Sequence, residues 1–343
     1  MSTHTHVPDH NNCGIIDVHC HVVPLDLPAD PTGGKLAMWP QMTCCADGHS
    51  ANFIAGPTTR KFDSRTWLAS ARIDYMDKNG IDMQTLSPVP ELFAYWFEPA
   101  ATAVMCRYVN DSMARMVNDH PTRFAALGGL PMNDSALAII EAKRLKKLGF
   151  AGVEIGSNVN GISPADARYH DVLATLHDLD LAVFVHGVRP ATEGRLVGPA
   201  AMAAVVGIPG DTSLTVASFI SARVLERLPN LRVGFSHGGG GFGAVIDRFQ
   251  HIWSVMPELK EAIPSSPLVE ARKFYYDLMT FDTDYTLHLL RKFGSQSIFV
   301  GTDFPAAGMG LMDPVAFIEK MSLKGDDLEN VRHRNARRFL GMN

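Results

Sequence analysis

At 343 residues, 46% of them hydrophobic and 20% charged, the chain has the make-up of a folded protein with ample material for a buried core, leaving little room for disorder beyond its ends. Lys and Arg number 31 against 36 Asp and Glu, a formal charge of −5 with no basic run, which argues against nucleic acid as a partner. A polar N-terminus without a signal-peptide core, no stretch near the roughly 20 apolar residues of a membrane span, and five cysteines without C-x-x-C spacing (Cys13, Cys20, Cys44, Cys45, Cys106) point to a cytoplasmic protein with reduced thiols and no membrane partner.

Residues 1–14 read as a polar tail, in which His4 and His6 are taken as solvated. Eight short apolar, β-branched runs then follow at 15–19, 83–87, 124–130, 151–155, 182–186, 232–237, 274–279 and 298–303, each expected to be a strand. Helical spacing fills the intervals at 66–79, 101–118, 134–148, 166–180, 213–228, 242–255 and 282–292, with closing helices at 314–321 and 326–340. Some ends carry local signals: Asp134 stands before a helix start, Gly149 follows the basic turn Lys146-Lys147-Leu148, and Pro229-Asn230 stops the helix before it. Alternating strand and helix implies parallel strands joined by right-handed crossovers, and eight such units close a barrel. Residues 15–343 are therefore expected to be a single α/β domain, a (β/α)8 or TIM barrel. An open doubly wound sheet is the weaker alternative, because no G-x-G-x-x-G follows the first run. Residues 22–65, rich in Pro, Gly and Thr, are too long for a βα loop and read as a lid-like insertion over the barrel mouth; 187–212 is a second long connection at the same face.

On this fold, polar groups at the C-terminal ends of strands point into the mouth. The first run ends Asp17-Val-His19-Cys-His21, and two histidines one residue apart in extended chain face the same side. The fifth ends in His186, the sixth in His237 followed by four glycines, and the eighth in Asp303 before Phe-Pro. Imidazole and carboxylate together suit one divalent cation, zinc first and manganese as the alternative, on His19, His21, His186 and Asp303. His237 is left outside the ligand set as general acid and base, although exchanging His186 and His237 is physically open at this point. His120, His170, His177, His251, His288 and His333 fall on helices or their ends, where a solvated or satisfied ring is the commoner case.

These features resemble the amidohydrolase superfamily, in its aminocarboxymuconate-semialdehyde decarboxylase-like branch. The resemblance is carried by Ile16-Asp-Val-His-Cys-His21, by Arg72-Ile-Asp-Tyr-Met-Asp-Lys-Asn-Gly-Ile-Asp-Met-Gln84, by Phe235-Ser-His-Gly-Gly-Gly-Gly-Phe-Gly243 and by Gly301-Thr-Asp-Phe-Pro305. It implies the same ligand set, with His237 and Asp303 as the catalytic residues. Binuclear members need a carboxylated lysine at the end of the fourth strand; this chain has Gly-Val-Glu154-Ile-Gly there, which implies one metal and no organic cofactor.

The branch implies non-oxidative decarboxylation of a carboxylated dienoate or aromatic acid, a small-molecule carboxylate. Arg60 aligns with an arginine that binds substrate carboxylate, and Arg248 with one that family dimers insert into the neighbouring subunit's site, so a homodimer is implied. Where the family member follows the fifth-strand histidine with Pro-Trp, this chain has His186-Gly-Val-Arg189-Pro, which makes Arg189 and Arg195 further candidate cations and signals a different substrate. Phe93, Trp96 and Phe304 are candidates to pack a planar ligand. The alternative chemistry is hydrolysis of a lactone, ester or amide, with hydration of an unsaturated acid ranking third.

Overall fold

The structure, a computed structural model, describes residues 14–56, 58–190, 193–305 and 311–342. The N-terminal tail with His4, His6 and Cys13 lies outside them. In chain order the elements are β1 (Ile15–Val22), β2 (Gln41–Cys44), β3 (Ser50–Ala55), β4 (Thr58–Asp63), α1 (Ala69–Lys78), β5 (Ile81–Pro88), α2 (Pro99–Asp119), β6 (Phe124–Gly129), α3 (Ser135–Lys147), β7 (Gly152–Gly156), α4 (His170–Asp178), β8 (Ala182–His186), α5 (Ile208–Ser221), α6 (Val224–Arg227), β9 (Val233–Phe235), α7 (Phe242–Val255), α8 (Pro257–Ala262), α9 (Pro267–Ala271), β10 (Tyr275–Asp277), α10 (Thr283–Phe293), β11 (Ile298–Phe299), α11 (Pro314–Met321), α12 (Gly325–Glu329) and α13 (Asn335–Leu340).

Eight of these strands pair in parallel in the order β1-β5-β6-β7-β8-β9-β10-β11. The ring closes through the segment after β11: Val18 N donates to Val300 O (2.9 Å) and Asp303 N to His19 O (2.8 Å). This is the expected TIM barrel. The last three strands are shorter than the apolar runs that announced them, because their final residues leave the ladder. His237 and Asp303 both take left-handed backbone (φ 56° and 58°), which ends pairing and turns each side chain across the mouth.

The helix signals hold where capping chemistry carries them: the Asp134 side chain accepts from Leu137 N (2.9 Å), and Gly149 takes a φ of +80° after α3. The expected helix at 213–228 is different. It begins earlier, with a π turn over Ala203–Gly207 running into α5, and Pro209 stands just past the junction where the π turn passes into α-helix. It also breaks before α6, where Arg223 is left-handed (φ 56°) and its guanidinium pairs with Glu226. Residues Ala203–Ser221 thus make one helix with a hydropathy of 1.4, long and apolar enough to cross a membrane, where the sequence reading expected none. Here Asp211, Thr215, Val216 and Phe219 on it are buried.

Residues 22–65 are not an irregular loop: β2, β3 and β4 form an antiparallel sheet, with Ala51, Phe53 and Ala55 alternating inward. At the opposite end of the barrel Phe339 and Leu340 of α13 close the floor against Ile16, Val18, Phe184 and Phe299. Phe184 in turn touches the His19 ring edge-on, 5.2 Å between centroids, so the floor supports the mouth directly.

Candidate metal and catalytic site

His19 and His21 lie at the end of β1, where a register irregularity between Asp17 and Cys20 aims both rings inward. Each of three histidines offers Nδ1 to an oxygen that only accepts. His19 Nδ1 is 2.7 Å from Asp277 Oδ2, His21 Nδ1 3.1 Å from Pro88 O, and His186 Nδ1 2.8 Å from Gly187 O. Those contacts place the proton on Nδ1 and leave each Nε2 as a bare lone pair. The lone pairs converge: His19 and His21 Nε2 are 3.2 Å apart, and His186 Nε2 is buried without a partner. Asp303 Oδ1 joins them, 2.8 Å from His21 Nε2 and 3.5 Å from His19 Nε2. The four ligand atoms lie within 4.8 Å of one another, and lone pairs facing at such distances repel unless a cation sits among them. The donor set therefore fits one divalent cation.

The field agrees. Burial pushes the Asp303 carboxyl up, but His19, His21 and His237 outweigh it and hold the group well below the usual carboxylate range. Burial and the three neighbouring rings push His186 well below the usual imidazole value. For His21 burial acts downward, and Asp303, Glu154 and Glu91 more than offset it, raising the value.

His237 stands beside this group and not in it. Its Nε2 is 3.7 Å from Asp303 Oδ2, its ring centroid is 4.9 Å from that of His186, and the Ser236 hydroxyl is 3.0 Å from its Nδ1. Of His186 and His237, which the sequence leaves exchangeable, it is His186 whose ring nitrogen lies among the converging atoms.

Sequence reasoning missed the residues that hold the site in shape. Asp277, at the end of β10, accepts from His19 with one oxygen and from Gly238 N (2.8 Å) and Met279 N (3.2 Å) with the other, joining β1 to the His237 loop. Asp17 accepts from Thr302 N (3.0 Å) and Thr302 Oγ1 (2.6 Å), fastening β1 to the segment that carries Asp303. Arg72 of α1 is fully buried, donates to His21 O and Gln84 Oε1, and burial lowers it to about 10. The available signal was an acid or arginine in or beside an otherwise apolar strand.

The substrate candidates separate. Arg60, on β4, pairs with Glu91 at 2.7 Å, a contact that ties the insertion to the loop after β5. Arg189 stacks on Trp96, 3.4 Å from the ring centroid, and reaches the insertion, where a Cβ on Gly56 would lie 3.6 Å from its Nη2. Together with Tyr95, Asn158, Asn160 and Val188 they line a cleft of about 180 Å3. Phe93 departs from expectation: its ring is fully buried and stacked on Tyr95 (5.5 Å), so Trp96, not Phe93, presents an aromatic face to this cleft. Phe304 is likewise buried, stacked on Tyr75 at 4.3 Å. Arg195 is exposed on a 3-10 turn. Arg248 is exposed on α7, without an ion pair among the described residues and apart from the converging ligands.

Glu154 sits at the end of the fourth barrel strand, where a binuclear site would need its lysine. It is fully buried, neither oxygen has a partner, and burial raises the carboxyl to about 8.

Comparison with known proteins places this geometry in context. The amidohydrolase family model matches residues 16–342. The chain belongs to the amidohydrolase family. It is 32% identical over 330 residues to a Dictyostelium discoideum protein named 2-amino-3-carboxymuconate-6-semialdehyde decarboxylase, covering 95% of this chain and 91% of that one. Among solved structures, the Metarhizium anisopliae IDCase in apo form superposes with a TM-score of 0.81 at 18% identity, covering 96% and 98% of the two chains. A dihydroxybenzoic acid decarboxylase from a Polaromonas species, with bound manganese and the inhibitor 2-nitroresorcinol, superposes with a TM-score of 0.74 at 21% identity, covering 96% and 97%. At these identities the structural matches speak for the fold alone, the (β/α)8 barrel.

Proposed function

We propose that the chain is a metal-dependent, non-oxidative decarboxylase of a carboxylated dienoate or aromatic acid. The observation that carries this reading is the convergence of three unprotonated Nε2 atoms and the Asp303 carboxylate beside His237, in a family member whose similar proteins include named decarboxylases. His19, His21, His186 and Asp303 hold the cation, zinc first; the manganese in the Polaromonas protein supports manganese as the alternative. Bound there, the cation supplies Lewis-acid polarisation of the acid's oxygens.

The protein's own part is positioning and proton delivery. Arg60, and Arg189 on its Trp96 platform, are the cations suited to a carboxylate. The bond from ring or diene carbon to the carboxylate breaks, its electron pair stays on that carbon, and CO2 leaves. His237 Nε2 gives the carbon a proton and recovers one from solvent. Asp303, 3.7 Å from that nitrogen, holds the imidazolium form in place. No organic cofactor is called for. Free thiols at Cys20, Cys44, Cys45 and Cys106 suit a reducing compartment such as the cytoplasm. Exposed Val205, Val206 and Leu214 near α5, with Val245 and Val255 on α7 beside Arg248, support a homodimer in which Arg248 reaches the neighbouring site.

The test combines metal analysis with CO2 release from a panel of hydroxybenzoates and muconate-type acids. Wild type releases CO2. His237→Ala keeps its metal and loses turnover by a factor of about 100 or more, while Asp303→Ala and His19→Ala lose the metal. Ring opening without CO2, or full metal stoichiometry in both ligand variants, refutes the reading.

A further inference from the structure

An ionisable side chain buried without a partner is expensive, and the chain keeps one beside its reaction centre. Glu154 is fully buried and neither carboxyl oxygen has a hydrogen bond. Its position is fixed by register: β7 pairs Glu154 with Phe184 and Gly156 with His186, so Glu154 shares the inward face of His186, one side-chain step deeper. Phe184 is also the residue whose ring touches His19. The carboxyl therefore lies level with the deep side of the histidine group, close enough for its charge to act on His21. It is not one of the four converging ligands. Gly156, the next residue on that face, lets the neighbouring wall approach: a Cβ there would meet Val188 at 2.5 Å and the Tyr95 ring at 3.0 Å, both lining the Arg189 cleft. The Ser87 hydroxyl comes near the acid, but it donates to Cys20 O (3.0 Å).

We propose that Glu154 is a specificity-determining residue, receiving a hydrogen-bond donor, a hydroxyl or amino group, that the substrate carries next to its leaving carboxylate. A carboxyl has two oxygens and at most one proton, so at least one oxygen can only accept, and what completes it is an O–H or N–H. The chemistry is consistent: a donor substituent beside the leaving group feeds electron density to the carbon that must take up the proton, and a carboxylate hydrogen-bonded to it strengthens that effect. Without the donor, a ligand leaves the acid buried and unpaired, the situation in which binding sites discriminate most sharply.

The inference rests on the decarboxylase reading, and binding of inert acids separates the two. Metal-loaded protein is titrated calorimetrically with salicylate and with 2-methoxybenzoate, which keeps the oxygen and lacks its proton, and metal content is measured in parallel. Wild type should prefer salicylate by about tenfold or more. Glu154→Met should bring the two affinities together with metal content unchanged. Glu154→Gln, nearly isosteric, offers an amide donor and should raise 2-methoxybenzoate affinity several-fold. A preference that persists in Glu154→Met, a parallel loss of metal and both affinities in that variant, or no gain in Glu154→Gln overturns the proposal. If wild type shows the Glu154-dependent preference without releasing CO2 from any acid, the decarboxylase reading fails and the recognition role stands. CO2 release with an unaltered preference sinks this inference alone.

Discussion

Two carboxylates near the metal ligands have opposite relations to their surroundings. Asp277 is fully satisfied, holding His19 Nδ1 on one oxygen and two backbone amides on the other. It fixes the proton of His19 on Nδ1 and so exposes Nε2. Asp277→Asn preserves volume but can present an N–H toward Nδ1 and favour the wrong tautomer. Metal affinity measured by competition with a chelator is expected to fall about 10- to 100-fold. Glu154 is unsatisfied, and its burial raises the carboxyl from 4.5 to about 8. The native state then holds this proton more tightly than the unfolded chain. Its contribution to stability is whole below about pH 4.5 and is lost as pH rises through about 8. In metal-free protein, Glu154→Gln should therefore change melting temperature little at pH 4.5 and raise it progressively toward pH 8. The gain is on the order of a few kcal/mol at the alkaline end. Equal shifts at both ends, by calorimetry, would contradict the assignment.

At the level of elements, the barrel was legible because each strand is a short apolar run and each inward polar residue interrupts one at its end. His19, His21, His186, His237 and Asp303 share that signature, and all five meet at one mouth. What stayed hidden depended on partners distant in sequence. Asp277 lies 258 residues from His19 and looks, locally, like a strand that happens to end in an acid. Phe93 sits two residues from Tyr95, and nothing local says that the two rings stack on each other instead of on a ligand. The α5 start was obscured by Gly207 and Pro209, residues that read as helix breaks but here lie where the π turn passes into α-helix. The insertion hid its sheet because its alternation is carried partly by alanines. Element placement also sorts the thiols. Cys20 on β1 and Cys106 on α2 are buried, and burial pushes both up, whereas Cys44 on β2 is exposed and Cys45 beside it half-buried. In a Cys13→Ser background, a thiol reagent at pH 8 should label Cys44 and Cys45 quickly. Cys20 and Cys106 should react only after unfolding, as peptide mapping of the labelled sites would establish.

Across the whole molecule, the site is assembled from both ends of the chain. His19 and His21 come from the first strand, Asp303 from the segment after the last, and Asp17 clasps that segment through Thr302. Beneath them the Phe339 ring lies 5.2 Å from Phe299 and 6.3 Å from Phe184. Phe339→Ala removes the centre of this floor and should cost about 3–5 kcal/mol in urea unfolding. Because Phe184 bears on His19, metal affinity should fall with it; an unchanged affinity would show that floor and mouth are independent.

Floor closure by α13 bears on how the protein is made. A ribosome releases β1 long before it has translated residues 298–303 or the helix that seals the floor. The first histidine pair therefore waits, without its carboxylate, until the last barrel strand has been made. A nascent chain stalled before Asp303 would carry the histidines without the carboxylate that completes the converging set.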